Sequence, residues 1–123
     1  MNQANAVVNV TRETFPSTIE KGIVVLDFWA KWCGPCVAFA PTFSAAAGRH
    51  PDVVFGKVDT EAQPALAAAF GIRAIPTLAV FRDGVLLSAE PGALAGPALE
   101  ELIGEVRALD MQALTKATQG GTP

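Results

Sequence analysis

Only two cysteines, Cys33 and Cys36, and a single histidine, His50, occur in the 123 residues of this chain. Cysteine pairs in such short supply cannot staple a scaffold together. A structural zinc site within one chain is excluded too, since it takes about four Cys, His or acidic ligands. No apolar run approaches the roughly 20 residues of a membrane-spanning helix, so no membrane partner is expected. The opening Met1-Asn2-Gln3-Ala4-Asn5 has neither the positive charge nor the apolar block of a secretory leader. A cytoplasmic location is therefore expected, and there a cysteine pair reads as catalytic or metal-binding rather than structural. Basic clusters are also missing. Nine Lys and Arg lie scattered among twelve Asp and Glu, for a net charge of −3. Nothing in that pattern would neutralise a phosphate backbone, so nucleic acid is not an expected partner. No internal repeat is visible.

What the chain does have is apolar residues in quantity. Half of it is hydrophobic and 17% is charged, the balance of a globular domain. A chain of this length buries about two thirds of its unfolded surface and needs no covalent staple. Ala6 to Val10 reads as a short strand, and Thr11 as the cap of a short helix ending near Glu20 and Lys21. Pro16 is awkward inside that helix and moves its start towards Phe15. Ile23 to Trp29 is nearly continuous apolar sequence, the mark of a strand covered on both faces. A helix follows from Gly34 to Arg49, with Val37, Phe39, Ala40, Phe43, Ala46 and Ala47 as apolar contacts and Pro41 as a kink.

Val53 to Val58 is the next strand. Thr60-Glu61-Ala62-Gln63 has the form of a capping box opening a helix that Gly71 stops. Ile75 to Phe81 and Val85 to Ala89 form a hairpin around Asp83-Gly84. Gly96-Pro97 starts the last helix, on which Leu99, Leu102, Ile103 and Val106 share a face while Glu100, Glu101 and Glu105 point outward. His50 is expected as a solvated cap. The order βαβαβαββα predicts an α/β domain with a central mixed sheet, its β-α-β steps parallel and its hairpin antiparallel. The domain spans 1–109, and 110–123 forms a helical extension with a flexible tail.

Both cysteines fall where the long buried strand gives way to a helix. A thiolate is the nucleophile in disulfide exchange, so the first cysteine must ionise near neutral pH. Lowering its pKa from about 8.5 to about 7 takes roughly 2 kcal/mol. A helix dipole supplies only about 0.3–1 kcal/mol at an exposed site. A hydrogen bond from the Cys36 thiol or amide is the natural supplement. Cys33 is then the attacking thiol and Cys36, one helical turn on, the resolving one. Asp27 is the candidate base for the resolving thiol, because burial in an apolar strand raises a carboxyl pKa. The other reading of Asp27 is a hydrogen-bonded acid at a strand end. Lys57 equally reads as a strand lysine reaching solvent.

The segment Asp27-Phe28-Trp29-Ala30-Lys31-Trp32-Cys33-Gly34-Pro35-Cys36 closely resembles the active-site segment of thioredoxins. Ile75-Pro76-Thr77 is similar to that family's cis-proline segment, Gly92-Ala93 to its substrate-facing glycine turn, and Pro41 to its helix-kinking proline. The resemblance runs from about Val7 to Leu109. It implies the thioredoxin fold, five mixed strands flanked by four helices, with protein-disulfide reductase activity and no cofactor. It implies catalytic roles for Cys33, Cys36, Asp27 and Lys57, the cysteines forming the redox disulfide. A substrate-docking surface would comprise Trp32, Gly34, Pro35, Ile75, Pro76, Gly92 and Ala93, with Pro76 in cis. The implied partners are disulfide-bearing proteins and a thioredoxin reductase, and a monomer is expected. Val37 and Glu90-Pro91 depart from the common pattern beside that surface. Two rival readings are an oxidase or isomerase, against which Gly34-Pro35 argues, and a binding subunit without turnover.

Overall fold

The computed structural model describes residues 6–114. Elements follow the order β1 (Val7–Asn9), α1 (Phe15–Ile19), β2 (Ile23–Trp29), α2 (Gly34–Arg49), β3 (Val54–Asp59), α3 (Pro64–Ala69), β4 (Thr77–Arg82), β5 (Val85–Pro91) and α4 (Gly96–Ala108). A short helical turn at 111–114 follows α4, and the tail expected after it lies outside the described residues. The strands make one sheet in the order β1-β3-β2-β4-β5. β1 and β2 both run parallel to β3, whereas β4 runs antiparallel to β2 and β5 antiparallel to β4. The expectation that every β-α-β step is parallel is corrected here. The chain leaving α3 crosses β3 and β2 and enters the sheet on β2's far side, pointing the other way.

β2 is the middle strand, and alternation along it loads both faces. Ile23 and Val25 point into a core shared with Phe39 and Phe43 of α2 and Leu99, Ile103 and Val106 of α4. Val24, Leu26 and Phe28 point into the opposite core, with Val10, Leu66 and Phe81. Phe70 packs edge-on against Phe15 and Phe81 there, at centroid separations of 5.5 and 5.9 Å. Asp27 falls on the face that α2 and α4 cover, two residues beyond Val25.

Local chemistry explains where several elements differ from expectation. Thr14, rather than Thr11, is the N-cap of α1, and Pro16 sits in its first turn, where no backbone N–H is needed. The capping box at Thr60 does not form. Asp59 Oδ1 accepts from the N–H groups of Glu61 and Ala62, Thr60 donates to the Trp29 carbonyl, and α3 starts only at Pro64. β4 begins at Thr77, two residues late, because Pro76 has no N–H to give the ladder; the Ile75–Pro76 peptide is cis. β5 runs on to Pro91. Asp83 and Gly84, both at positive φ, make the hairpin turn, and Asp83 Oδ1 also accepts from Gly22 N–H at 2.8 Å.

Two surface expectations are corrected as well. Val37 is 55% exposed and contributes nothing to the core, since α2 turns that side to solvent. His50 is the C-cap of α2 but half-buried rather than solvated: its Nε2 lies 2.7 Å from Glu100 Oε1 and its Nδ1 3.0 Å from Arg107 Nη2. Glu100, still facing solvent, pairs with Arg49 as well as with His50. This network joins the end of α2 to α4.

β3 carries Gly56 between β1 and β2, and an added Cβ would lie 2.6 Å from Val10 Cγ2 and 2.8 Å from Leu26 Cδ2. Both neighbours are fully buried, so they have little room to yield. Gly56→Ala is expected to lower unfolding stability by about 1–3 kcal/mol in urea titrations. Unchanged stability would mean this part of the sheet repacks freely.

Candidate active site

At the carboxyl end of β2 the chain turns through Ala30 to Trp32 and starts α2 with Cys33 as its N-cap. Cys33 has extended backbone angles, which leaves its side chain facing the first helical turn. Pro35 in that turn has no N–H. The Cys36 N–H is free to donate to Cys33 Sγ, and does so at 3.2 Å. The two sulfurs are joined as a disulfide. Cys33 retains 4% exposure and Cys36 none, so of the two only Cys33 is reachable from outside. The supplement expected for a thiolate at position 33 is thus an amide, delivered by the residue that shares its disulfide.

A second stretch of chain meets the first at this point. Ile75 packs against Ala30, Cys33 and Cys36, and its carbonyl oxygen lies 3.7 Å from Cys33 Sγ. A reduced Cys33 thiol has an acceptor there. The next residue, Pro76, accepts a hydrogen bond from Gly92 N–H at 2.8 Å. Gly92 has φ +108, a conformation L side chains rarely adopt, which is the physical reason for glycine at this place. Ala93 follows it, exposed. Gly34 and Pro35 are exposed on the other side of the disulfide. The residues named from sequence at 32–36, 75–76 and 92–93 are therefore tied into one region by the disulfide, the Ile75 contact and the Pro76–Gly92 bond.

Further back on β2 lies Asp27, fully buried and with neither carboxylate oxygen hydrogen-bonded. Desolvation pushes its carboxyl up to about 6, against a smaller downward pull from the Lys57 ammonium. Lys57 is Asp27's register partner on β3, and its Nζ sits 4.4 Å from the centre of the Trp29 ring. The ammonium is thus shared between a π face and a carboxylate field instead of closing an ion pair. Asp27 is not the strand-end hydrogen-bond acceptor that was its alternative reading, and Lys57 is half-buried rather than free in solvent.

One contact at the site was invisible in the sequence. Trp32, 69% exposed, donates from Nε1 to Glu61 Oε2 at 2.8 Å. In sequence Glu61 belongs to the apparent capping box at Thr60, whereas in the fold it sits in the turn held by Asp59 and meets the tryptophan. Among the described residues no group of three or more His, Cys, Asp and Glu could hold a metal ion, and no helix is long and apolar enough to cross a membrane.

Known proteins share this arrangement. The family model described as Thioredoxin matches residues 6–105. A relative named putative thioredoxin 2, from Streptomyces coelicolor, is 52% identical over 113 residues, covering 91% of this chain and 84% of its own length. A thioredoxin of Staphylococcus epidermidis is 44% identical over 82 residues, covering 64% of this chain and 77% of its own. Among solved structures, a mutant thioredoxin from Halobacterium salinarum superposes with a TM-score of 0.77 at 32% identity, over 84% of this chain and 92% of that one. Thioredoxin f from spinach chloroplast does so at 0.76 and 33%, over 83% and 94%. The cysteine pair at the start of α2, the sheet order and these relatives lead to one conclusion: the chain belongs to the thioredoxin family, thiol–disulfide oxidoreductases that act on disulfide-bearing proteins.

Proposed function

We propose that Cys33 is the nucleophile and Cys36 the resolving thiol of a protein-disulfide reductase, with Asp27 as the proton acceptor. The observation that carries the assignment is the Cys36 N–H directed at Cys33 Sγ while Cys36 itself is sealed from solvent. The Cys33 thiolate attacks one sulfur of a substrate disulfide and the other substrate sulfur leaves as a thiolate. Cys36 then gives its proton to the Asp27 carboxylate and attacks Cys33 Sγ. The substrate's second sulfur leaves, and two electrons have passed from this chain to the substrate. The Cys33–Cys36 disulfide is the state left behind.

Asp27 suits the acceptor role because its carboxyl, at about 6, is mostly ionised at pH 7 yet far more basic than an exposed one. Lys57 tunes that basicity from β3. An extended substrate segment docks over Trp32, Gly34, Pro35, Ile75, Pro76, Gly92 and Ala93. The exposed apolar surface of Trp32, beside the one sulfur that reaches the surface, supports this reading. A thioredoxin reductase returns the pair to the dithiol. The working unit is a cytoplasmic monomer formed by residues 1–109, with 110–123 as an extension.

Cys33→Ser is expected to abolish reduction of insulin, by at least about a thousandfold. Cys36→Ser should instead accumulate a mixed disulfide with a peptide substrate, seen as an adduct in intact-mass spectra. Turnover by Cys33→Ser, or no adduct with Cys36→Ser, would reverse or remove the assignment. In single-turnover experiments, the wild-type resolving step should accelerate as pH rises through about 6. Asp27→Asn should slow that step about a hundredfold at pH 7 and flatten its profile there. An Asn variant with the wild-type profile would leave Asp27 no part in proton transfer.

A further inference from the structure

A groove runs between the edge strand β5 and helix α4, enclosing a cavity of about 290 Å³. Leu78, Leu94 and Leu102 supply its apolar lining, and Glu90, Glu101 and Glu105 stand around it. The volume is at the lower end of ligand pockets, which hold about 300–1,000 Å³, and suits one long side chain. Gly92 also lines the groove. Gly92 N–H bonds the Pro76 carbonyl, and the Ile75 carbonyl lies beside Cys33 Sγ, so the groove adjoins the surface around the disulfide at Gly92.

The charges here are unbalanced in a way found nowhere else on α4. Glu100, on the same helix, is paired with Arg49 and His50, and Arg107 with Asp52. The carboxylates of Glu90, Glu101 and Glu105 take no hydrogen bond and no ion pair from any described residue. Three like charges around an apolar lining leave a site where a cation on a hydrocarbon stem is favoured on both counts. Its methylenes cover the leucines and its head meets the acids.

We propose that this groove is a substrate subsite for a lysine or arginine lying close to the reacting cysteine of the substrate protein. The proposal rests on the reading of Gly92 as part of the docking surface. It places selectivity for basic segments on the α4 side of the disulfide, independent of the exchange chemistry.

The test uses the full chain and two disulfide-linked peptides that differ only in carrying two Arg or two Gln beside the cysteine. Uncharged bis(2-hydroxyethyl) disulfide reports the chemistry alone. Wild type should show a kcat/KM about tenfold higher for the Arg peptide at low ionic strength, falling towards twofold in about 0.5 M salt. The double variant Glu101→Gln, Glu105→Gln should bring the ratio to about twofold even at low salt. Its rates on the Gln peptide and on bis(2-hydroxyethyl) disulfide should be unchanged. A preference that survives in the variant, or none in wild type, overturns the subsite. Preference appearing only on dilution, or only in a chain ending at residue 109, overturns it by identifying a second copy or this chain's own C-terminal segment as the occupant. A wild type that reduces none of the three compounds defeats the catalytic reading, and the subsite with it.

Discussion

A carboxyl group without a hydrogen bond, held in the middle of a sheet, is the constraint around which this molecule is arranged. Asp27 occupies the central strand, with Leu26 and Phe28 beside it in sequence, Leu78 and Lys57 across from it, and both faces of the sheet covered. Ionising such a group costs stability, and the register partner Lys57 offsets only part of that because its ammonium lies over Trp29. An apolar residue at position 27 would fit the strand better. The fold instead carries an acid whose proton affinity lies close to neutral pH, on the strand whose carboxyl end leads into the cysteine pair.

The sulfur chemistry depends on a different economy of groups. Helix α2 begins with a cysteine as its cap and a proline in its first turn, so one backbone N–H, that of Cys36, is directed at Cys33 Sγ. The same turn that exposes Trp32 leaves Cys36 wholly enclosed. Access and the directed N–H therefore coincide at one sulfur. Opposite it, the reversed strand β4 and the turn at Gly92 bring Ile75 and Pro76 to the same spot, from a part of the chain some forty residues away.

Much of this could be read from residues alone, and the reasons are specific. β2 and α2 match their expected bounds because a continuous apolar run and a Cys-Gly-Pro-Cys turn leave few alternatives. The direction of β4 was not legible, since a β-α-β pattern looks the same whether the returning strand joins one side of the sheet or the other. Thr60 resembled a cap in isolation, but Asp59, one residue earlier, captured the free N–H groups. His50 looked solvated because its partners, Glu100 and Arg107, lie about fifty residues downstream. The Trp32–Glu61 bond and the acidic groove beside Gly92 are tertiary in the same sense: each needs two distant segments to be in place before it exists.

The most direct test of the central claim compares stability with pH for wild type and Asp27→Asn. A carboxyl whose folded pKa of about 6 exceeds its ordinary 3.8 binds its proton more tightly when folded. Both states are protonated below about pH 3.8, so no penalty applies there. Between that point and about 6 the unfolded chain ionises first, and wild-type stability falls relative to the variant. Above about 6 the deficit is constant, at about 3 kcal/mol. Taking the difference between the two proteins removes the opposite contributions of Asp52 and Glu100, whose carboxyls are held low by their partners. Urea unfolding from pH 3.5 to 8 should show the two curves parting across that window and then running parallel. Curves that stay together would mean the Asp27 carboxyl ionises like an exposed one, and the account of this site would fail.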